Sequence, residues 1–301
     1  MSKIASPPPM RPLGSSDIQV SSLAWGMWRF EGAASDGLAL INAALESGIN
    51  FFDTADIYGF NGSDGFGDAE SLLGTIFANN PGLREKMVLS SKGGIMPPLP
   101  YDSSDGYLTS AIDASLARLK TDYLDLWMIH RPDILAHPQD IAATLRKAMD
   151  AGKIRAAGVS NFTNAQIVAL QSFLDVPLVS TQPEFSPLCL TPIENGEFDL
   201  AMQHNLAVMA WSPLGGGRIA SPSSTRETAV AAALDSVAQN FDVSRTAAAY
   251  SWAMAHPARP IPIIGSQNAG RIAEAAQAYD IMWTRQDWYD VLVASRGENL
   301  P

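Results

Sequence analysis

The sequence has very few of the residues that build disulfides, metal sites or membrane spans. Its 301 residues include a single cysteine, Cys189, so no intramolecular disulfide can form, which fits a reducing compartment. No stretch approaches the ~20 consecutive apolar residues of a membrane-crossing helix, and the N-terminal "MSKIASPPPM" has no signal-peptide core. The four histidines lack the spacing of metal ligands. We therefore expect a cytoplasmic protein without a metal site.

Basic residues are also scarce. The chain has 20 lysines and arginines against 31 aspartates and glutamates, which gives a net charge of −11 and an isoelectric point near 4.7. A negative field repels nucleic acids and anionic membranes, so neither is expected as a partner. Any ligand that carries phosphate must then be held by local hydrogen-bond donors and well-placed cations.

The glycine-rich fingerprints of nucleotide-binding sheets are missing as well. The first apolar run continues into "WGMWRF", where a doubly wound dinucleotide-binding fold usually carries G-x-G-x-x-G, and no P-loop sequence occurs. With 47% hydrophobic and 17% charged residues, the chain is still typical of a globular protein with a large core. A different α/β arrangement is therefore favoured over the doubly wound sheet.

Eight short apolar runs alternate with longer helical patterns. The runs are nearly continuous in apolar character, as expected of strands covered on both faces. They lie at residues 23–27, 49–54, 87–92, 124–130, 154–160, 178–182, 206–211 and 261–265. This alternation predicts a single parallel (β/α)8 TIM barrel, and we expect residues 1–301 to form one domain. Residues 10–22 are expected to form a β-hairpin before the barrel, and residues 284–295 an extra C-terminal helix.

Capping signals mark several helices between these strands. Ser35 is expected to cap the first helix, and Thr163 with Gln166 matches a capping box. Further helical patterns run over residues 105–120, 138–151, 163–174 and 225–255 (two helices), and begin near residues 268 and 284.

Polar and aromatic residues stand at the ends of seven consecutive strands. In a (β/α)8 barrel the carboxyl ends of the strands form the face that carries the active site. The second strand ends in Asp53, with Tyr58 in the loop, and the next two end in Lys92 and His130. The later ends carry Ser160, Asn161, Gln182, Trp211, Ser212, Gly265 and Ser266. Because seven consecutive strand ends carry such residues, one shared site is favoured over separate packing roles.

These residue types suit proton transfer through a phenol. A free tyrosine titrates near ~10, and a neighbouring ammonium lowers that pKa by favouring the phenolate. Tyr58, Lys92 and Asp53 are therefore predicted to form a relay in which Asp53 keeps Lys92 charged. A neutral His130 would orient a substrate carbonyl, so the set suits carbonyl reduction with hydride from a cofactor. Asp56 is assigned to hydrogen bonding of the loop backbone.

Seven segments resemble the aldo-keto reductases, in the family's order and over nearly the whole chain. They read "FFDTADIYG", "SSKGG", "MIHRPD", "GVSNF", "TQPEFSP", "MAWSPLGGGR" and "PIIGSQNAGRIAEA", and they resemble the bacterial general oxidoreductase branch. The resemblance implies a (β/α)8 barrel that uses NADPH to reduce aldehydes and ketones. It implies Tyr58 as the proton donor, Lys92 and Asp53 as the partners that lower its pKa, and His130 as the residue that orients the carbonyl.

The same resemblance implies a cofactor site along the later strands. Ser160, Asn161 and Gln182 match residues that hold the nicotinamide carboxamide, and Trp211 stands where the family usually has a stacking tyrosine or phenylalanine. The loop over the pyrophosphate matches Ser212, Pro213, Leu214, Gly215, Gly216 and Arg218. The clamp on the adenosine and its 2′-phosphate matches Gly265, Ser266, Gln267, Arg271 and Glu274. Many members carry a lysine or arginine beside the serine, so the preference for NADPH over NADH depends here mainly on Arg271.

Apolar residues are expected to line the substrate pocket. The candidates are Met27, Trp28, Phe60 and Met96, and the loop "GFNGSDGFGDAE" is expected to act as a lid. No basic residue clearly awaits a substrate carboxylate, which favours neutral aldehydes and ketones as substrates. A monomer is expected.

Two other functions stay open on the sequence. Lys92 at a barrel strand end would suit a Schiff-base lyase of the class I aldolase kind. Some barrels of this superfamily instead act as regulatory subunits that sense NADPH with negligible turnover, although such a sensor need not retain all four residues of the relay.

Overall fold

The structure is a computed structural model that describes residues 3–4 and 7–300. Strands β1 (Met10–Pro12) and β2 (Gln19–Ser21) form an antiparallel hairpin. Eight further strands close into a parallel barrel in the order β10-β3-β4-β5-β6-β7-β8-β9. These are β3 (Ala24–Gly26), β4 (Phe51–Asp53), β5 (Val88–Gly93), β6 (Leu124–Ile129), β7 (Ile154–Ser160), β8 (Ser180–Gln182), β9 (Ala207–Ala210) and β10 (Ile261–Ile264).

Helices follow the barrel strands and cover the barrel's outer face. They are α1 (Ala34–Glu46), α2 (Asp68–Asn79), α3 (Asp105–Leu119), α4 (Pro138–Asp150), α5 (Asn164–Gln171), α6 (Thr191–Glu194), α7 (Glu197–His204), α8 (Thr225–Phe241), α9 (Arg245–Met254), α10 (Ala269–Glu274) and α11 (Arg285–Arg296). Single 3₁₀ turns lie at Arg84–Lys86 and Gly215–Gly217, and a longer 3₁₀ segment at Ala275–Asp280. No helix in the described part of the chain is long and apolar enough to cross a membrane.

The hairpin covers the amino-terminal mouth of the barrel. Leu13, Ile18 and Val20 belong to the same buried cluster as the residues that fill the barrel interior. Ser21 accepts from the backbone N–H of Asn50, which directly precedes β4. Because this end is plugged by apolar side chains, the open face of the barrel is the opposite one, at the carboxyl ends of the strands.

The predicted fold is confirmed. All eight predicted barrel strands form, each within two residues of its expected ends, and both the hairpin and the extra helix α11 are present. Thr163 and Gln166 form the expected reciprocal capping box at α5. A parallel barrel buries its strands on both faces, which is why continuous apolar runs identified them.

Three details differ from the sequence-based expectation. Ser35 lies inside α1, which begins without a side-chain cap after Ala33, and its hydroxyl contacts Asp36 instead. The patterns named above also omitted α2 and the short pair α6 and α7. A glycine-rich loop runs directly into α2, and α6 and α7 are short, so periodicity was a weak signal at both places.

Candidate active site

Strand alternation brings Asp53 and Lys92 together inside the barrel. Successive side chains of a strand point to opposite faces, and Phe51 on β4 and Val88 on β5 both belong to the interior cluster. Asp53 and Lys92 lie two and four residues further on, so both also point inward, at the carboxyl ends of neighbouring strands. Lys92 Nζ lies 2.7 Å from Asp53 Oδ2 and donates to the backbone oxygen of Thr54 at 2.8 Å.

This buried ion pair keeps the lysine charged. Lys92 has no exposed surface, and Asp53 is 3% exposed. Burial by itself lowers the pKa of Lys92, but the charges of Asp53 and Tyr58 and the hydrogen bonds to them outweigh it, so the pKa of the ammonium is raised. A protonated amine is not a nucleophile, so this geometry disfavours the Schiff-base reaction considered above.

Tyr58 stands over this pair. It lies in the loop after β4, and the centroid of its ring is 5.0 Å from Lys92 Nζ. Burial raises the pKa of the Tyr58 phenol above 10, while Lys92 pulls in the opposite direction. The expectation of a net lowered pKa is therefore wrong for the protein alone, because removal of the phenol from water outweighs the ammonium. Tyr58 stays protonated at neutral pH, which is the state that a proton donor needs.

His130 completes the cluster from the end of β6. Its ring meets that of Tyr58 edge-on, with centroids 5.8 Å apart. Burial, with the nearby cations Lys92 and Arg131, holds the pKa of His130 well below 6.5, so the imidazole is neutral. Its Nδ1 has no hydrogen-bond partner among the described residues. The four residues predicted to act together are thus brought together.

Gln182 and Asn161 connect the next strand ends to this cluster. Gln182 Nε2 donates to Asp53 Oδ1 at 3.2 Å, so Asp53 accepts from both an amide and an ammonium. Asn161 Nδ2 donates to the backbone oxygen of His130 at 3.2 Å and to Ser160 Oγ at 2.8 Å. Ser160 Oγ donates to the backbone oxygen of Gln182 at 3.1 Å, so polar groups from five strand ends form one continuous hydrogen-bonded network.

Two residues at the same rim have a strained backbone. Asn161 has φ of +60° and Ser212 has φ of +49°. Residues other than glycine rarely adopt this left-handed region, and such strain often accompanies binding or catalytic sites. Both residues were predicted to contact the cofactor.

Trp211 is fixed at the end of β9. Its Nε1 donates to Asn161 Oδ1 at 3.0 Å, a bond that phenylalanine at this position lacks. The guanidinium carbon of Arg131 lies 5.9 Å from the centre of the Trp211 ring system. The indole is thus fixed by a hydrogen bond at its edge, and one of its faces is turned toward a cation.

The loop after Trp211 presents bare backbone to solvent. Gly215, Gly216 and Gly217 all have positive φ, and a Cβ at Gly216 or Gly217 would meet open space. Arg218, expected to supply charge, is partly engaged: its Nε donates to Gly215 O at 2.7 Å, and its Nη1 lies 3.6 Å from Glu227. Pro213 and Leu214 complete the turn, with Leu214 packed against the core. Arg218 thus stabilises this loop through its hydrogen bond to Gly215, and the glycines leave the loop backbone accessible.

The predicted adenosine clamp surrounds the start of α10. Ser266 Oγ accepts from Asn268 N, and Glu274 accepts from Thr246 at 2.9 Å. The Nε2 of Gln267 is buried and has no partner within the part of the chain that the structure describes. Arg271 is exposed, and its guanidinium makes no ion pair with any described residue. The end of β10 thus offers an unpaired cation and unpaired amide hydrogens.

A partly aromatic cleft of about 560 Å³ lies between the loops that follow β4 and β5, and none of Asp53, Tyr58, Lys92 and His130 lines it. It is lined by Phe60, Gly62, Ser63, Phe66, Met96, Pro97, Pro98 and Tyr107. The predicted pocket residues Phe60 and Met96 therefore share one cavity. Met27 is fully buried in the core, and Trp28 lies beside Gly265, 53% exposed and stacked with Arg29. The structure therefore does not support Met27 or Trp28 as lining residues of this cleft.

The match to known sequences agrees with this geometry. A model of the Aldo/keto reductase family matches residues 22–292. The chain belongs to the aldo/keto reductase family. Members of this family are oxidoreductases that reduce carbonyl groups with a nicotinamide cofactor, which leaves no support for the lyase alternative.

Two relatives of this aldo/keto reductase are similar over nearly their whole lengths. The 6-dehydroglucose reductase of Novosphingobium aromaticivorans is 62% identical over 304 residues, which cover 100% of this chain and 100% of that protein. The 6-dehydroglucose reductase of Agrobacterium fabrum is 34% identical over 299 residues, with 95% and 98% covered. Among solved structures, the glycerol dehydrogenase of Gluconobacter oxydans has a TM-score of 0.82 at 24% identity and covers 99% of this chain and 97% of its own. The last likeness shows the fold.

Sequence reasoning missed two residues of this aldo/keto reductase. Arg131 follows His130 in "MIHRPD" and faces the rim, half-buried, without an ion pair to any residue that the structure describes. Its position directly after a strand end was the available signal. Asp56 was assigned to the loop backbone, but neither of its carboxylate oxygens has a hydrogen-bond partner among residues 3–4 and 7–300. The backbone N–H of Ile57 still lowers the pKa of Asp56, so the assignment to the loop backbone describes only a weak contact.

Proposed function

We propose that this protein is an NADPH-dependent reductase of sugar aldehydes, with 6-dehydroglucose as the first substrate to test. The observation that carries the reaction type is the buried Lys92–Asp53 pair beneath a protonated Tyr58 and beside a neutral His130. The substrate class comes from the relative that is 62% identical and named for this substrate. Reduction of its C6 aldehyde would give glucose.

The residues at the later strand ends fit a dinucleotide. Nicotinamide carries an amide that needs donors and acceptors, which Ser160, Asn161 and Gln182 provide. The phosphates need backbone N–H groups and cations, which the glycines at 215–217 and Arg271 can supply. The unpartnered Gln267 Nε2 adds a donor at the adenosine end. Trp211 would stack against the nicotinamide ring. This donor set compensates locally for the net charge of −11.

The chain's own residues divide the remaining work of the reaction. When bound, NADPH supplies the hydride that reduces the carbonyl carbon. Tyr58 gives its phenolic proton to the carbonyl oxygen as negative charge develops there. Lys92 stabilises the phenolate that Tyr58 becomes, and Asp53 holds the ammonium in place. His130, being neutral, donates a hydrogen bond that orients the carbonyl oxygen.

The side chain of Arg131 favours hydroxylated aldehydes as substrates. A half-buried guanidinium with no anionic partner can donate several hydrogen bonds to ring hydroxyls or to a substrate anion. A sugar aldehyde is still a neutral aldehyde, so this proposal narrows the expected substrate class and does not replace it.

The direct test is steady-state reduction of 6-dehydroglucose with NADPH and with NADH, followed by loss of cofactor absorbance. Benzaldehyde and butanal serve as substrates without hydroxyl groups. We expect the largest kcat/KM with 6-dehydroglucose and NADPH. Tight NADPH binding without turnover of any aldehyde would instead favour a cofactor sensor, and absence of binding would refute the proposal.

We expect Arg271→Ala to weaken NADPH binding selectively. A charged hydrogen bond to phosphate contributes about 1.5–3 kcal/mol, so the Kd for NADPH should rise roughly tenfold to a hundredfold, while the Kd for NADH changes little. Tryptophan fluorescence titration measures both constants, and Arg285→Ala, in a helix after the barrel, is the control. Equal weakening of the two cofactors would show that Arg271 does not meet the 2′-phosphate.

Arg131→Met should discriminate between substrates. It keeps much of the side chain's length but removes the donors, so KM for 6-dehydroglucose should rise about tenfold or more. KM for butanal should stay near the wild-type value, because butanal has no hydroxyl to bind. An equal rise for both aldehydes would mean that Arg131 has a general structural role.

A further inference from the structure

Asp56 is a buried carboxyl that the proposed mechanism does not use. It lies between Asp53 and Tyr58, is 1% exposed, and its backbone N–H donates to Lys92 O at 2.9 Å. Its side chain packs on the outer face of β5, where a Cβ at Gly93 would lie only 2.9 Å from Asp56 Oδ2. Any movement of this carboxyl therefore moves the segment that links the two site residues on either side of it.

A second carboxylate, Glu70 of α2, lies close by and already uses the available cation. Glu70 is fully buried, accepts from Arg118 Nε at 2.7 Å and accepts from Ser91 Oγ. The other nearby cation, Lys92, is paired with Asp53 on the inner side of the barrel. An ionised Asp56 would thus be a buried charge beside a like charge, with both neighbouring cations already engaged.

We propose that Asp56 carries its proton in the working enzyme, and that this neutral carboxyl is a positioning residue that holds Tyr58 and Lys92 in register. Protonated, it can remain packed against Gly93 and beside Glu70. Ionised, it would be driven toward water, and the backbone between Asp53 and Tyr58 would move with it. The Tyr58 phenol would then lose its alignment with Lys92.

The surrounding charges agree with a proton on Asp56. Burial, with the charge of Glu70, raises the pKa of Asp56 to about 8, against the opposing effects of Arg118, the backbone N–H of Ile57 and Lys92. Tyr107 of α3 also faces Asp56, but its phenol donates to the backbone oxygen of Ile95 and stays neutral, since burial and Asp56 raise its pKa. The carboxyl is therefore neutral at pH 7 and becomes charged as the pH rises through about 8, so alignment is present below that pH and lost above it.

No other group of the cluster accounts for a transition there. The pKa values of Tyr58 and Lys92 are raised above 10 and 10.5, and that of His130 is held well below 6.5. A fall in kcat near pH 8 thus has Asp56 as its source within the site. Of the two tests below, only the kinetic one depends on the proposed reductase activity.

The kinetic arm compares kcat for aldehyde reduction across pH in the wild type, Asp56→Asn and the control Asp17→Asn, an exposed residue of the hairpin at the opposite end of the barrel. Asparagine is neutral at every pH and nearly the same size. We expect wild type and Asp17→Asn to lose about tenfold in kcat one unit above the transition. Asp56→Asn should retain its pH 7 value over that range. The same fall in Asp56→Asn would overturn the proposal.

The second arm requires no activity. A ¹³C-carboxyl aspartate label followed by NMR should show one aspartate that titrates near pH 8 in the wild type and whose signal is missing from Asp56→Asn. If every aspartate is already ionised at pH 7, the proposal is refuted even where reductase activity is intact. If the titrating aspartate is present but no aldehyde is reduced, the proposed function fails and the protonation of Asp56 stands.

Discussion

Tyr58→Phe is expected to lower kcat for 6-dehydroglucose reduction by about 10²–10⁴-fold, the usual contribution of a positioned general acid. The ring stays in place over Lys92, so packing and fold are retained, but the proton is gone. NADPH binding, measured by tryptophan fluorescence, should be unchanged because no predicted cofactor contact involves the phenol. Stopped-flow and steady-state assays at pH 7 measure the loss.

Tyr101→Phe is the matched control. Tyr101 is 41% exposed, and loss of its hydroxyl should leave kcat at the wild-type value. If Tyr58→Phe retains full turnover, another group delivers the proton, and the role proposed for Tyr58 is wrong, although the fold is unaffected.

Lys92→Met is expected to damage both activity and stability. It removes the ammonium that stabilises the Tyr58 phenolate, so kcat should fall at least as far as in Tyr58→Phe. It also leaves Asp53 as an uncompensated buried charge, which typically lowers the free energy of unfolding by about 3–5 kcal/mol. Urea denaturation followed by tryptophan fluorescence measures this change.

A double variant separates the two effects. In Lys92→Met/Asp53→Asn the unpaired charge is gone, and the amide that replaces the carboxylate can still accept the hydrogen bond from Gln182. We expect the double variant to recover about 1–3 kcal/mol of the stability lost in Lys92→Met, as coupled neighbours do. Its kcat should stay low, because the ammonium is still missing. Recovery of activity without the lysine would contradict its role.

The barrel and the four-residue cluster were accessible from the sequence for a physical reason. Parallel strands covered on both faces must be apolar throughout, so polar residues appear where a strand ends, and Asp53, Lys92 and His130 mark three successive ends. The inward direction of Asp53 and Lys92 then follows from strand alternation. What joins them, a 2.7 Å ion pair without solvent access, required the structure.

The pKa values of the site residues were harder to predict from the sequence, because they depend on burial. The sequence suggested that Lys92 lowers the pKa of Tyr58, but the extent of desolvation around the phenol reverses the sign. Asp56 was read as a loop residue because aspartates after strands commonly bond the backbone. Only the packing of α2 and α3 against β5 shows that Glu70 and Arg118 surround it. That Arg131 has no ion-pair partner among the described residues likewise depends on residues far from it in the sequence.

The most direct measurement of the central claim uses NADPH deuterated at the transferable position of the nicotinamide ring, mixed with 6-dehydroglucose. NMR of the sugar should show glucose with one deuterium at C6 when the wild type is present, and almost no product with Tyr58→Phe over the same time. Glucose without deuterium, no glucose from the wild type, or an equal yield from Tyr58→Phe would contradict carbonyl reduction by hydride with Tyr58 as the acid.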